Sequence, residues 1–583
     1  MPDTIYALDT ENYYDSQISI AEMGAWKYTR ASENYMLTIA GSDGTRYAGN
    51  PRDFDWEILR GKTIIMANAG YDLTVLSAEG EKGNIPTDLG FKEVVDVLDM
   101  ARYMGRPGSL AGASHSLLGI EVDKKTRANM KGKQWAAMSE EFKKEVTDYA
   151  IKDAEITLRL WLEHGEKWPW HERELSRQTR EIGMRGVPVD LAKAHEYKRH
   201  LEGLIWEAEQ KIPWAKADDA KILSPKALAE ECRKVNIEPP KSLAVDSEDC
   251  IKWEDEYGET YPWVGAMRDW RRCNMLLKKV CTFINRTKPN GWMPFSLKYF
   301  GAGSTGRWSG DAGLNLQNLN RKELYGVDLR GLIRAPQGHR IVSVDLSQIE
   351  PRCLAFLCGD ETLLDFIGKS DDLYDAQARA WGLHDGEESL RKDPAKRLMV
   401  KQLNLGLGYG MSASKFATVS GTAASEAERL TNLFRSKNPK LTALWKQLEK
   451  AMKSHAQRGA DFSMELPSGR EITYWSVSNV GGSLTAVTCR NGKMMRAKYW
   501  YGLLVENLTQ ATAREVFAEK LLNIEAEGFQ ILFSVHDEVV CLSREEEAEQ
   551  TQRRIVEIMS ETPDWMPGLP LSAEGGIEEK YGK

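Results

Sequence analysis

Two aspartates, Asp345 in IVSVDLSQIEPR and Asp537 in FQILFSVHDEVVCL, each follow a run of apolar residues. Ile341, Val342 and Val344 precede the first, and Phe529, Ile531, Phe533 and Val535 alternate before His536 and the second. That pattern predicts two buried strands, each ending at a tight turn with an exposed, rigidly aimed acid. Carboxylate oxygens suit Mg²⁺, and a metal pair about 3.5–4 Å apart clamps the attacking and leaving oxygens of an in-line displacement. If the fold joins the two tips, the chemistry is phosphoryl or nucleotidyl transfer. Taken singly, each acid reads equally well as an ordinary turn aspartate, because a strand followed by Asp is common.

A third segment, RLMVKQLNLGLGYG, places Arg397, Lys401, Leu405 and Tyr409 at steps of four. On a helix these positions drift about 40° per step and form one slanted stripe. Two cations can neutralise a triphosphate while the aromatic ring packs on a base. Gly406, Gly408 and Gly410 allow close approach of another chain and favour bending there. An amphipathic surface helix with a glycine-rich end is the plain alternative.

The N-terminal third carries a separate set. Asp9 and Glu11 end the apolar run Ile5 to Leu8, Asn68 and Asp72 follow TIIMANAGYD, and Tyr149 and Asp153 stand four apart in DYAIKDAEITLRLW. The last segment has helical periodicity, which puts Tyr149 and Asp153 on one face. Four acids and a tyrosine could form a second metal site, although neither DxE nor YxxxD means much alone. Asp96 and Asp99 in VVDVLDMARYMG read as helix-start or solvated groups.

The order DLSQIEPR, R-x3-K-x2-N-x-G-x2-YG, VHDE resembles motifs A, B and C of the family A DNA polymerases, and the -IEPR- and -GLGYG- forms resemble the phage-type branch. The resemblance extends through TGRWSGDAGLNLQNLNR, LPSGREITY and YGLLVENLTQATARE. It implies that Asp345 and Asp537 bind two metals, that Arg397 and Lys401 contact the incoming triphosphate, and that Glu350 and Tyr409 close the sugar pocket against a ribose hydroxyl. Arg307, Gln510 and His536 match the family's minor-groove readers, which check pair geometry because every correct pair presents purine N3 and pyrimidine O2. Leu405 stands where many members have Phe or Tyr, so discrimination against dideoxynucleotides is left open. Glu506 and Asn507 fall outside the register of the best-known bacterial members. The N-terminal set resembles a DEDD-type 3′–5′ exonuclease of the tyrosine variant. That likeness assigns Asp9, Glu11, Asp72 and Asp153 to two metals and Tyr149 to the attacking water.

The implied fold class is mixed α/β: a ribonuclease H-like exonuclease domain, then a right-hand polymerase with an antiparallel-sheet palm, helical fingers and helical thumb. With 583 residues there is room for about four domain-sized units. The expected division is exonuclease 1–170, connector and thumb 171–290, palm 291–350, fingers 351–460 and palm again 461–583. Pro169 breaks the helical pattern at the first boundary. Palm strands are expected near Trp292–Phe300, and the chain is expected to re-enter the palm near Phe462. Region 217–262 reads as thumb helices and loops.

A net charge of −8 is unusual for a DNA binder, but local charge decides. Arg271, Arg272, Lys278 and Lys279 lie in a basic run at the thumb position, suited to phosphate contacts that hold a duplex without reading it. A solvated helix face is the alternative. Residues Lys124 to Lys133 form a second basic stretch, which either borders the exonuclease groove or is a solvated loop. The eight cysteines lack metal-finger spacing and read as free buried thiols in a reducing compartment.

The first strand starts near Ile5, leaving no space for a signal peptide, and no apolar stretch nears about twenty residues. The expected protein is a soluble, cytoplasmic monomer of a bacterial cell or phage-infected host. Its expected cofactor is Mg²⁺, two per site, with Mn²⁺ as an alternative. Primer-template DNA and deoxynucleoside triphosphates are its partners, and any processivity partner is left open. The expected activity is template-directed DNA synthesis with proofreading in phage replication; a repair polymerase and a single-subunit RNA polymerase are the alternatives.

Overall fold

Ile5–Asn12 is buried along Tyr6, Ala7 and Leu8, and neighbours cover it on both edges. It pairs antiparallel with Asn34–Gly41 and parallel with Thr63–Met66. Arg46–Gly49 and Glu93–Asp96 complete a five-stranded mixed sheet. Parallel strands need a crossover, supplied between Thr63–Met66 and Glu93–Asp96 by the helix Ala69–Glu81. The computed structural model describes residues 4–122, 125–215, 221–244, 247–311, 313–370 and 372–582. Lys124 and Ala217, at the ends of two stretches singled out above, lie outside the described residues.

The helix Glu140–His164 packs on the first two strands of this sheet through an apolar stripe that includes Val146, Ala150 and Ala154. Ser139 caps it, accepting a hydrogen bond from the Phe142 N–H, and Glu140 and Glu141 favour its positive end. Pro169 stands between this helix and the next, Trp170–Arg185.

The acids of the C-terminal half sit in a four-stranded antiparallel sheet, ordered Gln530–Val535, Glu538–Arg544, His339–Leu346, Ala573–Glu578. His339–Leu346 is interior to this sheet, which explains its unbroken buried stretch Ile341–Val344. Helices fill Ile349–Arg458 and bury Leu390, Val400, Leu403 and Phe434 in one cluster. Phe462–Tyr499 does not join the Asp345 sheet. It forms four antiparallel strands of its own: Phe462–Glu465, Glu471–Val480, Ser483–Arg490 and Lys493–Tyr499. The reason is local. Gly481-Gly482 and Asn491-Gly492 are two-residue turns with both φ values positive, at 57° and 79° and at 51° and 70°, the geometry that closes hairpins.

The chain divides into two compact units: Met1–Met184 with Phe295–Gln317 and Gly338–Glu578, and Arg185–Pro294 with Asn318–Gln337 and Glu579–Lys583. In the second, Leu191–Lys211 packs along Pro262–Arg286, and Trp253, Trp263, Leu228 and Met267 form a small core. No described helix is long and apolar enough to cross a membrane. All eight cysteines are free, five of them buried.

Candidate active sites

Asp345 lies next to last on the interior strand His339–Leu346, directly opposite Glu538 of the neighbouring strand. Asp537 occupies the two-residue turn between Gln530–Val535 and Glu538–Arg544. The Leu346 N–H donates to the Asp537 carbonyl at 3.1 Å, which locks the turn beside the strand end. The Asp345 side chain is close enough to favour the charged form of Asp537. Burial raises the Asp537 carboxyl above its usual range, opposed by its own backbone N–H and by Arg307. Both acids are half-buried rather than fully exposed as the sequence suggested, because the turn folds back against the sheet. His536 adopts φ 58°, a costly conformation for a residue with a Cβ, and its side chain is exposed.

Glu350 opens the helix Ile349–Leu357 just beyond Asp345. It accepts a 3.0 Å hydrogen bond from the Tyr409 hydroxyl and an ion pair from Arg307. Arg307, His536 and Asp537 line one small crevice together with Arg514 and Phe517. Gln510 donates to Glu506 at 3.4 Å. Burial raises the Glu506 carboxyl, reinforced by Glu350 and opposed by Arg307, so Glu506 belongs to this constellation although sequence register left it aside.

The helix Pro394–Leu407 carries Arg397, Lys401 and Leu405, and the latter two are exposed. Tyr409 lies two residues past its end. Gly408 caps the helix and Gly410 takes φ 76°, so the expected stripe stops short of the tyrosine. The turn is crowded: a Cβ at Gly502 would stand 2.0 Å from the Tyr409 carbonyl oxygen, and one at Gly410 would stand 2.4 Å from the Tyr501 ring. Arg397 is held by Asp372 at 2.5 Å and lies 5.1 Å from the Tyr374 ring centre.

A buried ionic network anchors the loop bearing Arg307, and nothing in local sequence announces it. Arg514 forms a bidentate pair with Glu172, one arm at 2.9 Å, and reaches Glu515 at 3.1 Å. Its Nε donates to the Gly306 carbonyl at 3.1 Å, and Arg470 binds Glu515 at 2.8 Å and the Thr305 carbonyl at 3.3 Å. His171, Glu172 and Glu515 are close enough together for a metal, but Arg514 and Arg470 already occupy the two carboxylates.

In the N-terminal sheet, Asp9 and Glu11 lie within the first strand, which runs on to Asn12. Asp72 is buried in the first turn of Ala69–Glu81; its Oδ1 accepts from the Thr10 hydroxyl at 2.7 Å, and its Oδ2 is buried with no hydrogen-bond partner among the described residues. Tyr149 hydrogen-bonds Asp153, one turn along Glu140–His164. Burial, then the Asp153 charge, lifts Asp9 to about 7. Burial and Asp9 lift Glu11 and Asp72 well above the carboxylate range, and burial with Asp153 and Glu11 lifts the Tyr149 phenol. These groups therefore converge and repel one another. Arg127 offsets the repulsion at Asp9 and Glu11. It lies in the basic stretch for which a groove border and a solvated loop were both open, and its charge faces the acids. Asp96 caps helix starts as expected, accepting from the Asn68, Ala69 and Leu98 N–H groups.

Of the four cations singled out in the basic run of Pro262–Arg286, Arg272 is bidentate on Glu254 at 2.9 Å and Arg271 donates to the Leu243 carbonyl. Lys278 and Lys279 form no ion pair among the described residues.

A mixed fold with an acid pair on an antiparallel sheet, a glycine-ended cationic helix and a hydrogen-bonded carboxylate–tyrosine pair defines a nucleotidyltransferase architecture. Residues 192–583 match the model of DNA polymerase family A, and the chain belongs to that family. It is 26% identical to a DNA polymerase of Bacillus phage SP02, over 99% of both chains. It is 29% identical to the thermostable DNA polymerase I of Thermus aquaticus, over 48% of this chain and 31% of that one. The fold matches the POL domain of Pol1 from M. smegmatis, solved in complex with DNA primer-template and dNTP. The TM-score is 0.69 at 17% identity, covering 99% of this chain and 95% of that one.

Proposed function

We propose that this family A DNA polymerase extends a primer by two-metal nucleotidyl transfer and trims it with a 3′–5′ exonuclease in its N-terminal sheet. The observation that carries the reading is the joining of Asp345 and Asp537 through the Leu346–Asp537 hydrogen bond, although the two lie far apart in the chain. The all-oxygen donor sets fit Mg²⁺ or Mn²⁺, and the buried Asp72 Oδ2, which has no hydrogen-bond partner among the described residues, is suited to ligating such a cation. Asp345 and Asp537 would hold one metal pair; Asp9, Glu11, Asp72 and Asp153 would hold the other. When bound, such ions acidify an attacking hydroxyl or water and neutralise the phosphate charge that develops.

The chain's own residues supply the rest. Arg397, released from Asp372, and Lys401 bind the triphosphate. Glu350, fixed by Tyr409 and Arg307, fills the space beside C2′ and excludes a ribose hydroxyl. Arg307, Gln510 and His536 face the minor groove of the terminal pair, and Lys278 and Lys279 bind duplex phosphates, with Arg271 and Arg272 bracing that helix. At the second site Tyr149 orients the attacking water. The five-part division into exonuclease, connector and thumb, palm, fingers and palm is part of this proposal, with Phe462–Tyr499 forming a sheet of its own. Similarity along the whole chain to a phage polymerase supports a role in phage replication.

A labelled primer on a longer template with Mg²⁺ tests the reading. Deoxynucleoside triphosphates should give extension, their omission 3′ trimming, and ribonucleotides little product. Extension with ribonucleotides alone would favour an RNA polymerase instead.

A further inference from the structure

From Ile472 to Val505 the chain has no acidic residue and four cations, Arg490, Lys493, Arg496 and Lys498, although the whole protein carries 86 acids. This segment forms most of the sheet that lies apart from the catalytic strands. Its last strand, Lys493–Tyr499, is an edge strand paired on one side only. One face of the hairpin is anchored by Leu484, Ala486, Ala497 and Tyr499, all buried. All four cations are exposed. Arg496 is pinned by the Ser476 carbonyl at 2.9 Å and Ser478 Oγ at 2.8 Å, whereas Lys493 and Lys498 form no ion pair among the described residues.

The edge strand leads straight into Trp500, which is 51% exposed, and Met495 is 46% exposed. Tyr501, the next residue, packs against Gly410 of the turn that carries Tyr409. The base of the hairpin is therefore fixed beside the wall of the nucleotide pocket. A templating base must reach that wall unpaired, and the strand beyond it needs cations for its phosphates and flat apolar groups for its bases.

We infer that the Ser483–Tyr499 hairpin and Trp500 form a binding surface for the single-stranded part of the template ahead of the site of synthesis. This rests on the template-directed reading above. Lysines on an edge strand also keep sheets from pairing with other chains, and that plainer role needs no DNA.

The two roles separate in binding titrations of the full chain in EDTA, against a primer-template with a ten-nucleotide 5′ template overhang and against the same duplex blunt-ended. For Lys493→Ala with Lys498→Ala, the overhang substrate should bind more weakly, and the slope of log affinity against log salt should flatten by about 1.4, or about 0.7 per lost single-strand phosphate contact. The blunt duplex should bind unchanged. Trp500→Ala should weaken the overhang substrate without changing its salt slope. Unchanged slopes with a self-associating variant would assign the lysines to edge protection and overturn the inference. Equal losses on both substrates would overturn it too, by placing the surface on duplex. Failure of the wild type to prefer primer-template over random single strands would instead count against the polymerase reading.

Discussion

Glu350 accepts from Tyr409 and pairs with Arg307, so its carboxylate is held from two sides, as the proposed wall against a ribose hydroxyl requires. Glu350→Ala should raise kcat/KM for ribonucleotides relative to deoxynucleotides at least about tenfold, about 1.4 kcal/mol, while leaving trimming intact. An unchanged ratio in single-nucleotide kinetics would remove the gate from this residue. Asp99 offers a pH test away from either acid set. Burial and the nearby Asp96 lift it to about 6, against the opposing effects of Arg102 and Ser176. Unfolded, it titrates near ~3.9, so the native state binds the extra proton between these values and loses stability as pH rises through about 6. The effect is on the order of 3 kcal/mol. Urea unfolding across pH 4–8 should show this decline, and Asp99→Asn should flatten it; parallel curves would contradict the assignment.

The Tyr409 turn is set by contacts between elements. The Gly502 position nearly touches the Tyr409 carbonyl, so Gly502→Ala must displace the turn and with it the hydrogen bond that the Tyr409 hydroxyl donates to Glu350. Extension should fall at least about a hundredfold, ~2.7 kcal/mol, with trimming retained, in a paired assay on one preparation. The Arg514–Glu172 pair joins Tyr501–Ala526 to Trp170–Arg185 and steadies the loop that bears Arg307. Arg514→Met leaves Glu172 buried and unpaired and should cost about 3–5 kcal/mol in denaturant midpoints, much of it recovered by adding Glu172→Leu. Additive losses would mean the two residues act separately.

These elements also show where sequence sufficed. Strand alternation and the turn before Asp537 were readable because a half-buried strand writes its period locally. So were the NG and GG dipeptides that close the separate sheet, a signal that the expected re-entry of the chain into the palm near Phe462 does not draw on. The helix end before Tyr409 was only half legible: its glycines pointed to bending, not to a stop. Arg514, Glu172 and Arg127 gave no local sign, because their roles arise from partners in other elements of the fold.

At the scale of the whole molecule, two acid sets lie in separate sheets of one compact unit: a mixed sheet near the N-terminus and an antiparallel sheet near the C-terminus. Each set is built on its own sheet, the N-terminal one completed by the helices that carry Asp72 and Asp153, so the two chemistries should be separable by mutation. The most direct measurement follows a 5′-labelled primer with matched or mismatched 3′ ends in Mg²⁺, with and without deoxynucleoside triphosphates. Asp345→Ala and Asp537→Ala should abolish extension yet trim both ends, and Asp9→Ala with Glu11→Ala should extend matched primers yet trim neither. Loss of both activities in any of these folded variants, or extension that survives Asp345→Ala, would contradict the account.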